Sequence, residues 1–128
     1  MDIVTKKQLN ILIQLAEADK HFAKSEREMI LKIAQDRGFP DEMVLDLILN
    51  PESIGTLGAL SDEQKFQYLK ACIDLIFADQ QVFESELIFC RGISIKLGFK
   101  KNVVDFMVKE RENLSSEVLK ARIFSEFI

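Results

Sequence analysis

A chain of 128 residues, 48% hydrophobic and 30% charged, is long enough for about one domain with a buried core. Its net charge of −4 leaves no dominant basic face to gather phosphates, so no nucleic-acid partner is expected. No apolar run approaches the ~20 residues of a membrane span. The opening MDIVTKKQLN lacks the charge-then-apolar layout of a signal peptide, and the expected location is the cytoplasm.

Leu9, Leu12, Ile13 and Ala16 recur at steps of three and four, which predicts a first helix with one apolar face. Residues 19–24 follow as an acidic loop. Ser25, with Glu28 three residues on, has the form of a capping box and opens a second helix with Met29, Ile30 and Ile33 as its buried stripe. Gly38 ends that helix as a left-handed cap, and Phe39 folds back on the last turn. Beyond Pro40 a short third helix carries Met43, Val44, Leu47 and Ile48 and stops at Asn50-Pro51.

Residues 51–60, PESIGTLGAL, read as a linker. Ser61 with Gln64 is another capping box and opens a long fourth helix reaching Ala78. After a second loop, 79–84, Ser85 begins a fifth helix that Gly98-Phe99 ends. Leu87, Ile88, Phe89, Cys90, Ile93, Ile95 and Leu97 surround much of this helix, which predicts a central element covered by its neighbours. A sixth helix carries Val103, Val104, Phe106 and Met107. A seventh starts near Ser115 and shows Val118, Leu119, Ile123, Phe124 and Phe127. Alternating β-branched runs bounded by turns are missing, so the expected fold class is all-α with about seven helices.

The chain repeats itself. Residues 11–49 and 71–109 align without a gap at an offset of 60, with ten identities in 39 positions. Random pairing at average composition would give roughly two or three. The matches include Ala18/Ala78, Asp19/Asp79, Ser25/Ser85, Glu26/Glu86, Gly38/Gly98 and Phe39/Phe99. One domain is expected, with a first repeat over about 5–50, the linker 51–60, a second repeat over about 61–110 and a C-terminal helix over 115–128. Two similar halves are expected to pack about a pseudo-twofold axis, with Asp19 falling on Asp79.

The repeat also assigns the two cysteines. Cys72 and Cys90 correspond to Leu12 and Ile30, so both are expected to be buried, unpaired core residues. His21 is the only histidine, its counterpart is Gln81, and neither cysteine has an evident base. Gly-rich phosphate loops and nucleophile elbows are missing too, so no enzyme is expected.

The informative short motif is Ala-Asp followed, six residues later, by Ser-Glu: Ala18-Asp19 with Ser25-Glu26, and Ala78-Asp79 with Ser85-Glu86. Each Asp stands where a helix ends, against the negative end of the dipole, at a cost of about 0.3–1 kcal/mol. In one reading each Asp accepts loop N–H groups, each Ser caps a helix and each Glu favours its positive end. In the other, Asp19, Glu26, Asp79, Glu84 and Glu86 offer oxygen ligands to a divalent cation, Ca²⁺ or Mn²⁺. Two carboxylates per loop fall short of the roughly six to eight oxygens Ca²⁺ prefers. Any cation should prefer the second loop, where Asp79, Glu84 and Glu86 meet no lysine, whereas Lys20 and Lys24 oppose Asp19 and Glu26.

The duplicated unit of helix, Ala-Asp loop, Ser-Glu, helix and Gly-Phe resembles the TerB-like domain over about residues 5–110. That family includes the bacterial tellurite-resistance protein TerB and the N-terminal domain of a membrane-anchored J-domain co-chaperone. The resemblance implies a seven-helix fold with pseudo-twofold symmetry. It also implies a non-enzymatic part in a stress or tellurite-resistance response, exercised through a protein partner, with an acidic cation site. The family's acidic positions match Asp19, Glu26, Asp79 and Glu86. The glycine it commonly carries after the Asp is Lys20 and Gln80 here.

Overall fold

Helix α1 (Ile3–Ala16) is buried on nearly every side: Gln8, Leu9, Asn10, Ile11, Leu12, Ile13, Leu15 and Ala16 are all in the interior. It lies against α4 (Asp62–Ile76), and these two form the centre of the molecule. Around them stand α2 (Lys24–Asp36), α3 (Asp41–Leu49), α5 (Glu84–Lys96), α6 (Val103–Glu110) and α7 (Ser116–Glu126). The structure is a computed structural model that describes residues 3–18, 24–78 and 82–128. Among the described residues it is all-helical, with seven helices and no strand.

Leu9, Leu12 and Ile13 of α1 share one core with Leu69, Cys72, Ile73 and Ile76 of α4. Burying side chains of this size contributes about 1.5–3 kcal/mol each. The flanking helices repeat a pattern of neighbours. In the first half α1 touches α2 and α2 touches α3; in the second, α4 touches α5 and α5 touches α6.

The same termination device appears in both halves. Gly38 at φ +71 and Gly98 at φ +95 take the left-handed conformation. The N–H of Phe39 then reaches the Ala34 carbonyl at 2.8 Å, and that of Phe99 reaches Ser94 at 2.9 Å. Gly38 and Gly98 donate to Gln35 and Ile95 at 3.1 and 3.0 Å. Two bonds per end satisfy carbonyls that would otherwise be orphaned, and both phenylalanines are buried as expected.

The expected starts of α2 and α5 are corrected. Helix α2 already includes Lys24, so Ser25 lies inside it. Helix α5 begins at Glu84 with Phe83 as its cap, so Ser85 also lies inside. At α5 the capping is done from the third helical position: the N–H of Phe83 donates to Glu86 Oε1 at 3.2 Å. Phe83 has no side-chain acceptor, so this is half of a capping box. The Ser61–Gln64 box is complete, with reciprocal bonds of 3.2 and 3.0 Å. Ser115 caps α7 through the Val118 N–H at 3.2 Å.

The place expected for α5 is corrected as well. Its inner face is buried at Glu86, Cys90, Ile93 and Ser94, but Ile88 is 60% and Ile95 59% exposed. The helix covered on nearly every side is α1. What completes its cover is the segment 51–60, laid along it. Asn10 pairs with the Glu52 peptide in both directions, Nδ2 to the carbonyl at 2.9 Å and Oδ1 from the N–H at 3.0 Å. Gln14 adds a bond to the same carbonyl at 2.7 Å, and Lys6 pairs with the Glu52 carboxylate at 2.9 Å. Leu57 of this segment is in the core.

At the far end, Phe99 meets Phe124 edge-on at 5.2 Å and Phe106 meets Phe127 at 4.9 Å, seating α7. The Lys100 N–H donates to the Phe127 carbonyl at 2.6 Å.

Candidate functional site

Asp19 and Asp79, the centre of the acidic-loop reading, lie outside the described residues, as does His21, so their coincidence is not on view. The glutamates are placed. Glu26 and Glu86 are each only 2% exposed, in the first turns of α2 and α5. A carboxylate there meets the positive end of its helix, and Glu86 also accepts the Phe83 N–H. Burial of such a group requires compensation of this kind. Glu84 stands on the opposite, outer face of α5, where Arg91 pairs with it at 3.2 Å and with Asp105 at 2.9 Å. Those two carboxylates raise the Arg91 guanidinium above its usual value. Glu84 and Glu86 therefore do not converge. Among the described residues no group of three or more His, Cys, Asp or Glu side chains is placed to hold a metal ion.

Cys72 on α4 and Cys90 on α5 are both fully buried and free of disulfide, as are their counterparts Leu12 and Ile30 buried. The two thiols are also neighbours, which the sequence did not reveal. A hydrogen bond with Cys72, followed by burial and the nearby Glu86 charge, pushes the Cys90 thiol well above its ordinary range. A thiol held neutral in this way is a poor nucleophile.

Two surface features complete the candidates. The first is an apolar trough between α2 and α3. Leu31, Val44 and Ile48 floor it, Arg27 and Asp41 edge it, and its volume is about 270 Å³. Leu45 lines it too, and Leu45 and Leu49, one turn apart on α3, are 56% and 70% exposed. The second is a cleft of about 330 Å³ where α1, α2 and α4 meet the start of α7. Arg37, just past the end of α2, donates there through Nη1 to the Oε1 of buried Gln8. These residues are 29 apart in sequence, and no local pattern links them.

Among the described residues the fold is a small all-helical one of seven helices around one core. No protein family, curated protein or solved structure matches the chain. No helix of the described residues is long and apolar enough to cross a membrane.

Proposed function

We propose that this chain is a non-enzymatic, TerB-like interaction domain that serves a stress response of the tellurite-resistance kind by docking a protein partner. The observation that carries the reading is the bare apolar row of Leu45 and Leu49 beside the α2–α3 trough. Large apolar side chains grouped around a groove mark an interaction surface, whereas scattered ones need no account. Their counterparts in the second half are Asp105 and Lys109, so the row belongs to one half and is not a by-product of the duplication. The recurring Gly-Phe helix ends and buried first-turn glutamates support the TerB-like part of the reading.

The test is complementation. A strain lacking the gene should lose tolerance to tellurite. The wild-type chain should restore it, and the Leu45→Glu/Leu49→Glu double variant, expressed to the same level, should not. Both positions are exposed, so the substitutions leave the fold intact. Full rescue by the double variant would overturn the docking face, and unchanged tolerance in the deleted strain would overturn the stress role.

A further inference from the structure

We propose that the cleft between α1, α2 and α4 binds a small organic carboxylate, its charge on Arg37 and its apolar body against Met29, Ile33 and Phe66. Gln8 borders this cleft. It is only 2% exposed, one of three buried polar residues of α1 with Thr5 and Asn10. A buried amide is retained where both of its ends have work. Its oxygen accepts from Arg37. Its NH₂ group donates to no described residue, and Gln8 borders both the main cleft and an adjoining recess of about 250 Å³. A donor is therefore left facing the space.

Arg37 is the second element. Its guanidinium has five donors in a planar fork, and among the described residues only Nη1 is engaged. Among the described residues no carboxylate pairs with it. The other charges around the cleft are matched internally. Lys70 pairs with Asp74 at 2.9 Å, and Glu63 takes hydrogen bonds from Lys120 and Gln67 that lower its carboxyl from the usual value. Among the described residues around the cleft one cation is left over, oriented by a neutral side chain and open on one side. A single carboxylate matches that fork bidentately. A phosphate dianion would require a second free cation, which the paired Lys70 does not provide.

The third element is shape. The main cleft and its recess share Gln8, Arg37 and Gln67, so they are parts of one depression. Volumes of this order lie at the small end of ligand cavities, roughly 300–1,000 Å³. Phe66 and Ala71 of α4 and Met29 and Ile33 of α2 line it. Leu45 and Leu49 do not border it, so this site stands or falls separately from the partner-docking reading.

The test is an NMR titration of the ¹⁵N-labelled chain with three probes: benzoate, its neutral isostere benzamide, and inorganic phosphate. Benzoate at about 10 mM should saturate a millimolar site. It should shift the Gln8 side-chain amide, the Arg37 Nε and the Gln67 amide. Benzamide and phosphate should bind at least about tenfold more weakly. Arg37→Gln should abolish the benzoate response, and Arg37 is exposed, so the fold should survive. Gln8→Glu should abolish it too, because the new carboxylate would occupy the guanidinium from within. No benzoate shifts at these residues, equal responses to benzoate and benzamide, stronger binding of phosphate, or retention in both folded variants would each overturn the proposal.

Discussion

Cys90 shows how much one residue's surroundings decide. Its raised thiol pKa means that the folded state keeps a proton the unfolded chain loses as pH passes about 9. The neutral thiol is the form the fold favours, so its contribution is complete below the unfolded pKa and declines as pH rises through the folded one. Stability should fall there by up to about 1.4 kcal/mol per pH unit from this group. Denaturant midpoints measured across that range should show a shallower decline for Cys90→Ala, and identical slopes would refute the assignment. Neither thiol should react with an aromatic disulfide reagent in the native state near neutral pH. Burial of both cysteines could be read from Leu12 and Ile30, because the repeat supplies an apolar counterpart for each. Their contact could not, since it depends on how α4 and α5 lie together. Gln8 and Arg37 were invisible for the same reason. The acidic positions yield a further prediction. With Glu86 spent as a cap and Glu84 held by Arg91, calorimetry with Ca²⁺ or Mn²⁺ at about 1 mM should show no binding heat, where a typical weak site would respond. Heat that disappears in Asp79→Asn would restore the cation reading.

Helix ends were legible where the chemistry is rigid and illegible where two residues can share a task. Gly38-Phe39 and Gly98-Phe99 were correctly read because positive φ leaves few alternatives to glycine. An added Cβ meets nothing within 4 Å at Gly38, so Gly38→Ala should cost only the conformational penalty, about 1–2 kcal/mol. A chemical melt checks it, and a neutral result would contradict the left-handed cap. At α5, the Ser-Glu pair offered two polar residues for one end, and the pattern put Ser85 at the cap. The structure uses Glu86 from within, since its longer side chain reaches back to the Phe83 N–H while its stem stays in the core. Glu86→Ala should therefore destabilise by about 1–3 kcal/mol, and Ser85→Ala by no more than about 0.5. The reverse order in thermal melts would return the cap to the serine.

At the scale of the molecule, composition and periodicity were enough for an all-helical chain of seven elements, but not for which helix is central. The apolar count favoured α5, yet Ile88 and Ile95 stand in solvent. Helix α1 was read as carrying one apolar face, and the polar residues off that face include Gln8, Asn10 and Gln14. Two of these are buried, and Asn10 and Gln14 are satisfied by the peptide of Glu52. Polar side chains that match a backbone segment mimic a solvated face in the sequence. Asn10→Leu should strand the Glu52 N–H, leave the Glu52 carbonyl to Gln14 alone, and lower stability by about 1–3 kcal/mol. Hydrogen exchange should then quicken along 51–60, and an unchanged exchange pattern there would argue against the strap.

The burial of α1 on nearly every side has a consequence in time. A helix with a wet face can wait for its neighbours, but α1 has almost none to offer. Its partners α4 and α5 lie some 50 to 90 residues later in the chain. Until they leave the ribosome its apolar flanks have only α2, α3 and the segment 51–60 for cover, and contacts between residues so far apart close slowly. Synthesis should therefore pass through a stage at which α1, α2 and α3 exist as segments without a core. An arrested chain ending at residue 60 should be cut readily by protease, and one with α5 exposed beyond the tunnel should resist. The first half of the duplicated sequence is thus expected to fold only together with the second.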